Sequence, residues 1–118
     1  MPERLQEFKA EFFKALAHPT RIRILERLRA AEGTVSDLQR ALDLDQSVVS
    51  QQLAVLRRQG IVEAEKQGAT VRYGVRDATL FQLLDVARQI FNNRLTMSQV
   101  LLRELRAEVG RPRRTGRR

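Results

Sequence analysis

The stretch from Ser36 to Gly60 constrains this chain most: two short helical patterns meet at Asp43-Leu44-Asp45, a link that leaves room only for a tight turn. In the second pattern Val49, Leu53 and Leu56 recur at i, i+4 and i+7, one face of a helix that has to find a core. The opposite side then carries Gln46, Ser47, Ser50 and Gln51, with Arg57 and Arg58 at its end. Glutamine pairs with adenine N6 and N7, serine hydroxyls serve bases or phosphates, and an apolar Val48 suits a thymine methyl. A helix edged in this way implies entry into the major groove of double-stranded DNA. A merely solvated helix face is the weaker reading in that surrounding pattern.

The flanks are consistent with this. A helix is predicted from Pro2 to about Leu16, with Leu5, Phe8, Phe12 and Leu16 on one face and Phe13 beside it. These phenylalanines exceed what one buried face needs, which points to a second subunit. Pro19 ends that segment and opens another, reaching about Ala31, with Ile22, Leu25 and Leu28 inward and Arg21, Arg23, Arg27 and Arg29 outward. After Gly33, Thr34-Val35 reads as briefly extended and Ser36 as the N-cap of a helix from Asp37 to Leu42. Gly60 suits a left-handed helix end. The runs 61–66 and 70–75 alternate apolar and polar residues about Gln67-Gly68-Ala69, as a hairpin does. Lys66 and Arg72 on that hairpin, with Arg57 and Arg58, are candidates for phosphate contacts that position rather than specify.

From about Ala78 the helical period returns in Leu80, Leu84, Ala87, Phe91 and Leu95, then Val100, Leu101, Leu102 and Leu105. Asn92-Asn93 and Thr96 are weak helix formers and mark a point for a bend or break. The predicted fold is thus mainly α with a small β-hairpin wing, a winged helix-turn-helix dimerised by its N- and C-terminal helices. Leu5, Phe8 and Phe12 on the first and Leu84, Phe91 and Leu95 on the last are the candidate interface. Residues 1–109 read as one DNA-binding and dimerisation domain, and 110–118 as a flexible basic tail with five arginines and no acid.

Charge points the same way: 22 Lys and Arg against 14 Asp and Glu give a net charge of +8, which favours a polyanionic partner. The chain has no cysteine, which removes disulfides and thiolate metal sites and fits a reducing cytoplasm. No apolar run approaches membrane-spanning length, and Glu3, Arg4, Glu7 and Lys9 stand where a signal peptide would be apolar, so the expected setting is cytoplasmic, without a membrane partner. Neither a glycine-rich phosphate loop nor a histidine base near a serine is present, so catalysis is not expected.

Two motifs, Phe13-Lys-Ala-Leu-Ala-His-Pro-Thr-Arg-Ile-Arg-Ile-Leu-Glu-Arg-Leu28 and Asp45-Gln-Ser-Val-Val-Ser-Gln-Gln-Leu-Ala-Val-Leu-Arg-Arg-Gln-Gly-Ile-Val62, resemble the ArsR/SmtB family of bacterial transcriptional regulators. The resemblance spans roughly residues 5–77. It implies a homodimer built through the first and last helices that binds an inverted-repeat operator and usually represses a promoter until an inducer releases it. This chain departs from the family's metal-sensing pattern. Thr34-Val35-Ser36 stands where many members have Cys-Val-Cys, and Asp77-Ala78-Thr79 where others have Asp-X-His. Sensing of soft metals through those sites is therefore not expected, and no cofactor is implied.

Other readings stay open at this stage. His18, the sole histidine, has a local structural role as its plainer reading and a nickel-type nitrogen and oxygen site as its sharper one. Sensing can also reside in a separate partner protein. A nucleoid-type architectural protein that coats DNA with little sequence choice is the remaining class.

Overall fold

The computed structural model describes residues 2–110. In chain order these are α1 (Pro2–Leu16), α2 (Pro19–Ala30), α3 (Val35–Leu42), α4 (Gln46–Arg58), β1 (Val62–Gln67), β2 (Thr70–Val75) and α5 (Thr79–Gly110). The chain divides into two compact units, the first ending at Phe81 and the second beginning at Gln82.

The first unit is built around side chains from every one of its helices and from the hairpin. Ala15 and Leu16 of α1, Ile24, Leu25 and Leu28 of α2, Leu38 of α3 and Val49, Leu53 and Leu56 of α4 are buried together with Ile61, Val62 and Leu80. On α2 the inward stripe runs through Ile24, whereas Ile22 is only half-buried, a correction to the expected Ile22, Leu25, Leu28 face. The reason is helical period: Ile24, Leu25 and Leu28 define a stripe whose preceding turn is occupied by Arg21, and Arg21 is accordingly half-buried rather than outward. Arg27 is half-buried as well.

Helix ends follow local chemistry. The His18 Nδ1 accepts from the Thr20 backbone N–H at 3.1 Å, so the histidine caps α2 while Pro19 fills the first helical position. At α3 the cap is Thr34 and not Ser36. Thr34 Oγ1 accepts from the Asp37 N–H at 3.1 Å and Asp37 Oδ2 accepts from the Thr34 N–H at 3.0 Å, a reciprocal capping box. The extended residue that precedes it is Gly33, which exchanges both backbone bonds with Tyr73 of β2 (3.1 and 2.7 Å). Pinned there, the chain is free to turn helical at once, two residues earlier than the position of Ser36 indicates.

Replacing Thr34 with alanine removes the hydroxyl half of that box, leaving the residue 34 N–H on Asp37, and is expected to lower stability by about 1 kcal/mol, read as a shifted midpoint in urea. Asp37 adds a pH dependence. Its carboxyl is held below the ordinary carboxylate range, first by the Thr34 N–H and then by the Thr34 hydroxyl and by Arg40 at 3.0 Å. A depressed folded value means its stabilisation is complete above the unfolded carboxylate value and disappears as pH falls through the folded one. Because Thr34→Ala keeps the backbone N–H that lowers Asp37 most, the wild-type and variant midpoints should both fall on acidification, nearly in parallel.

The α4 helix ends in a Schellman motif: Gly60 at φ +73° donates to Arg57 O at 2.9 Å and Ile61 to Leu56 O at 3.0 Å. The hairpin is antiparallel, from Val62 opposite Val75 to Gln67 opposite Thr70. Gln67 is thus a strand residue, and the turn shrinks to Gly68-Ala69 with Gly68 at φ +63°, where a primed two-residue turn needs positive φ.

The second unit is helical. Helix α5 is continuous from Thr79 to Gly110, so Asn92-Asn93 and Thr96 do not break it into two. At about 1.5 Å per residue such a helix is roughly 48 Å long. Val86, Ile90, Phe91, Leu95, Met97, Leu101, Leu102, Leu105 and Val109 are exposed along it.

Candidate nucleic-acid interface

Helix α4 presents the side chains expected of it. Val49, Leu53 and Leu56 are buried, and this fixes the rotation of the helix about its own axis. Gln46, Ser47, Ser50, Gln51, Arg57 and Arg58 are all exposed as a consequence. Val48 differs, being half-buried, so only part of its surface is open to a thymine methyl. The N-cap residue Asp45 makes no side-chain capping bond, which leaves the first-turn N–H groups of α4 without that partner. The preceding turn is held by Asp43 in the left-handed region (φ 54°), with the Leu44 N–H donating to Gln39 O at 3.1 Å.

The wing stands beside the end of α4. An open concavity of about 410 Å³ is lined by Ser50, Leu53, Ala54, Arg57 and Arg58 of α4 and by Tyr73 of β2. Three of the predicted contact residues, Ser50, Arg57 and Arg58, thus share one wall, and Tyr73 enters as a residue that sequence reasoning passed over. Its alternation in the hairpin was visible, but its bridge to Gly33, which sets where the base of the wing lies, was not. Lys66 lies exposed near the wing tip, away from that group in the hairpin register.

Arg72 is occupied differently. It is half-buried, and its Nη2 donates to Glu32 O at 2.9 Å, beyond the end of α2. Arg23 does the same for α3, donating to Leu42 O at 2.8 Å, and Arg21 reaches Lys14 O in the last turn of α1 at 3.5 Å. Guanidinium groups at carbonyls near helix C-termini satisfy acceptors that lack helical partners and complement the helix dipole. A share of the arginine in this chain is therefore structural.

The candidate dimer residues lie on the two terminal helices. Leu5 and Phe8 are exposed, at 54% and 75%, whereas Phe12 is half-buried with its ring edge-on to Phe13 at 5.5 Å. On α5, Leu84 is half-buried and Phe91 and Leu95 are exposed, at 58% and 63%. Among the described residues no three His, Cys, Asp or Glu side chains gather into a metal-binding group. The Nδ1 of His18 is engaged in its cap. No helix among the described residues is long and apolar enough to cross a membrane. The basic segment 111–118 lies outside the described residues.

Comparison with known proteins places this geometry. The family model for bacterial regulatory proteins of the arsR family matches residues 18–64, from the α2 cap into the first half of β1. An HTH-type transcriptional regulator of Mycobacterium tuberculosis, Rv0081, is 43% identical over 106 residues, covering 89% of this chain and 93% of its own. Its crystal structure superposes with a TM-score of 0.74, over 80% of this chain and 95% of that one. The solution structure of the homodimeric winged helix-turn-helix DNA-binding domain of Mb0332 from Mycobacterium bovis matches at 26% identity with a TM-score of 0.73, over 80% and 87% of the two chains. The transcriptional repressor BigR of Xylella fastidiosa matches at 34% identity with a TM-score of 0.66, over 77% and 92%.

Proposed function

The chain belongs to the ArsR family of bacterial regulatory proteins, and from that premise we propose that it is a homodimeric, sequence-specific DNA-binding regulator that represses transcription from an inverted-repeat operator. One observation carries the reading. The buried row Val49, Leu53 and Leu56 turns a row of small polar side chains outward on α4, with two arginines following beside the wing. Gln46, Ser47, Ser50 and Gln51 read base edges in the major groove, and Val48 contributes through its open part. Arg57, Arg58 and Lys66 hold the phosphate strand, with Tyr73 completing the wall of the concavity. Arg72 joins them only by exchanging its carbonyl partner for a phosphate.

The dimer forms through Leu5, Phe8 and Phe12 of α1 and Leu84, Phe91 and Leu95 of α5, as exposed apolar side chains on both helices support. Two recognition helices then meet half-sites about one helical turn apart. Residues 1–109 act as one domain, and the arginines of 110–118 add sequence-independent attraction. Signal input comes from a separate partner protein, a reading supported by the replacement of the family's ligand positions by Thr34-Val35-Ser36 and Asp77-Ala78-Thr79.

Selection from a random duplex pool tests the function. The protein is expected to enrich one palindromic sequence and to prefer it over bulk DNA by at least about a thousandfold. A ratio near unity favours the architectural reading instead. On the enriched duplex, Gln51→Ala is expected to lose about 1–3 kcal/mol of binding while non-specific affinity holds. Equal losses on both duplexes would remove Gln51 from base reading.

A further inference from the structure

Arg21 occupies a position that stability alone explains poorly. It lies one turn before Ile24 and Leu25 on the inward stripe of α2, where an aliphatic side chain would pack without any polar atom to satisfy. Its Nε is enclosed and has no hydrogen-bond partner, a donor stripped of water without replacement. A guanidinium held this way is weak grounds for a stabilising role, and such groups are better attested where they fix one arrangement among several.

The rest of the side chain shows which arrangement is fixed. Nη1 donates to Gln52 Oε1 of α4 at 3.2 Å, and Nη2 points to Lys14 O in the last turn of α1 at 3.5 Å. The guanidinium is a rigid planar fork, so its two ends set the separation of the α1 carbonyl and the α4 amide. Gln52 sits between Gln51, an outward reader, and Leu53, a buried anchor. Successive residues on a helix are about 100° apart, so a fixed Gln52 fixes the direction in which Gln51 is aimed.

We infer that Arg21 is a positioning residue for DNA recognition: clasped between α1 and Gln52, it holds α4 at the rotation given by its buried stripe, the one at which Gln46, Ser47, Ser50 and Gln51 are offered to the bases. The inference rests on the reading of α4 as the DNA-recognising helix. It adds a residue that never touches DNA to those that determine sequence choice, and it makes a shift of α1 felt at α4.

The test is a double-mutant cycle on the full chain with Arg21→Met, Gln52→Ala and their combination, joined by Arg21→Lys and Gln52→Glu. Affinities are measured at one salt concentration for the duplex that wild-type protein selects from a random pool and for a scrambled duplex of equal length, beside the thermal midpoint of each protein. Their ratio is the readout, since a merely structural role moves both affinities together. Arg21→Met and Gln52→Ala are each expected to lower the ratio about tenfold, and the double variant no more than either alone. Arg21→Lys retains the charge without the fork and should resemble Arg21→Met. Gln52→Glu retains an acceptor, so it should weaken both duplexes while keeping the ratio near wild type, and this arm stands even if Arg21→Met folds poorly. Ratios unchanged in the single variants, or losses that multiply in the double, overturn the inference and leave the DNA-binding function intact. If the wild type selects no sequence, it is the recognition role of α4 that fails, and the role of Arg21 with it.

Discussion

Replacing Phe91 and Leu95 together with glutamate is expected to convert the protein to a monomer at micromolar concentration and to cut operator affinity by on the order of 10²–10⁴. Both side chains are exposed on α5 (58% and 63%), so charge placed there does not enter the core of the folded chain. In the proposed dimer the same positions are covered, and each apolar side chain removed from water contributes about 1.5–3 kcal/mol. Four glutamates per dimer remove those contributions and add like charges across the two-fold axis, where burial makes them costly. Affinity falls with assembly because the second half-site is then no longer bound within one complex. Sedimentation velocity gives the first result and fluorescence anisotropy the second. An intact dimer in the double variant would move the interface off this part of α5, to Leu5 and Phe8 of α1 or to the distal leucines.

Leu56→Ala is expected to cost about 2–5 kcal/mol of folding stability, a large part of the roughly 5–15 kcal/mol that holds a domain of ordinary size. Leu56 is fully buried in the last turn of α4, and its carbonyl accepts the Ile61 N–H that closes the helix. Truncation leaves a cavity that α2 and the hairpin close only in part, since each is also fixed by other contacts. The urea midpoint should fall at unchanged slope, provided both proteins are compared at one concentration, because a dimer's stability depends on it. A loss below about 1 kcal/mol would mean that α4 is not anchored through this stripe, and the outward direction of Gln51 would lose its cause.

The stripe of α4 was legible because it is pure period: Val49, Leu53 and Leu56 fit one face and no other. The hairpin was legible for the same kind of reason, with a period of two in place of 3.6. The helix-turn-helix, the wing and the outward polar row follow from those two patterns. What was not legible came from contacts between segments distant in sequence. Ser36 is by type at least as good a cap as Thr34, but Thr34 has Asp37 three residues on to complete a capping box, and the bridge from Gly33 to Tyr73, forty positions away, holds the chain extended up to it. Arg21 looked like solvated charge because composition treats every arginine alike. Only the position of Ile24, rather than Ile22, in the core shows that residue 21 is on the inward side. The continuity of α5 stayed open in the sequence because Asn92, Asn93 and Thr96 are weak helix formers. Their cost is about 0.7 kcal/mol each at most, spread over a helix that has many better formers on either side.

An arginine already bound to a carbonyl is a poor electrometer. Arg21, Arg23 and Arg72 are held by the backbone at Lys14, Leu42 and Glu32, so these three of the 22 Lys and Arg keep their charge but are not free to swing onto a phosphate. Sodium displaced from the DNA on binding should accordingly fall short of what a count of basic residues would give, with the shortfall set by how the chain ties its own ends.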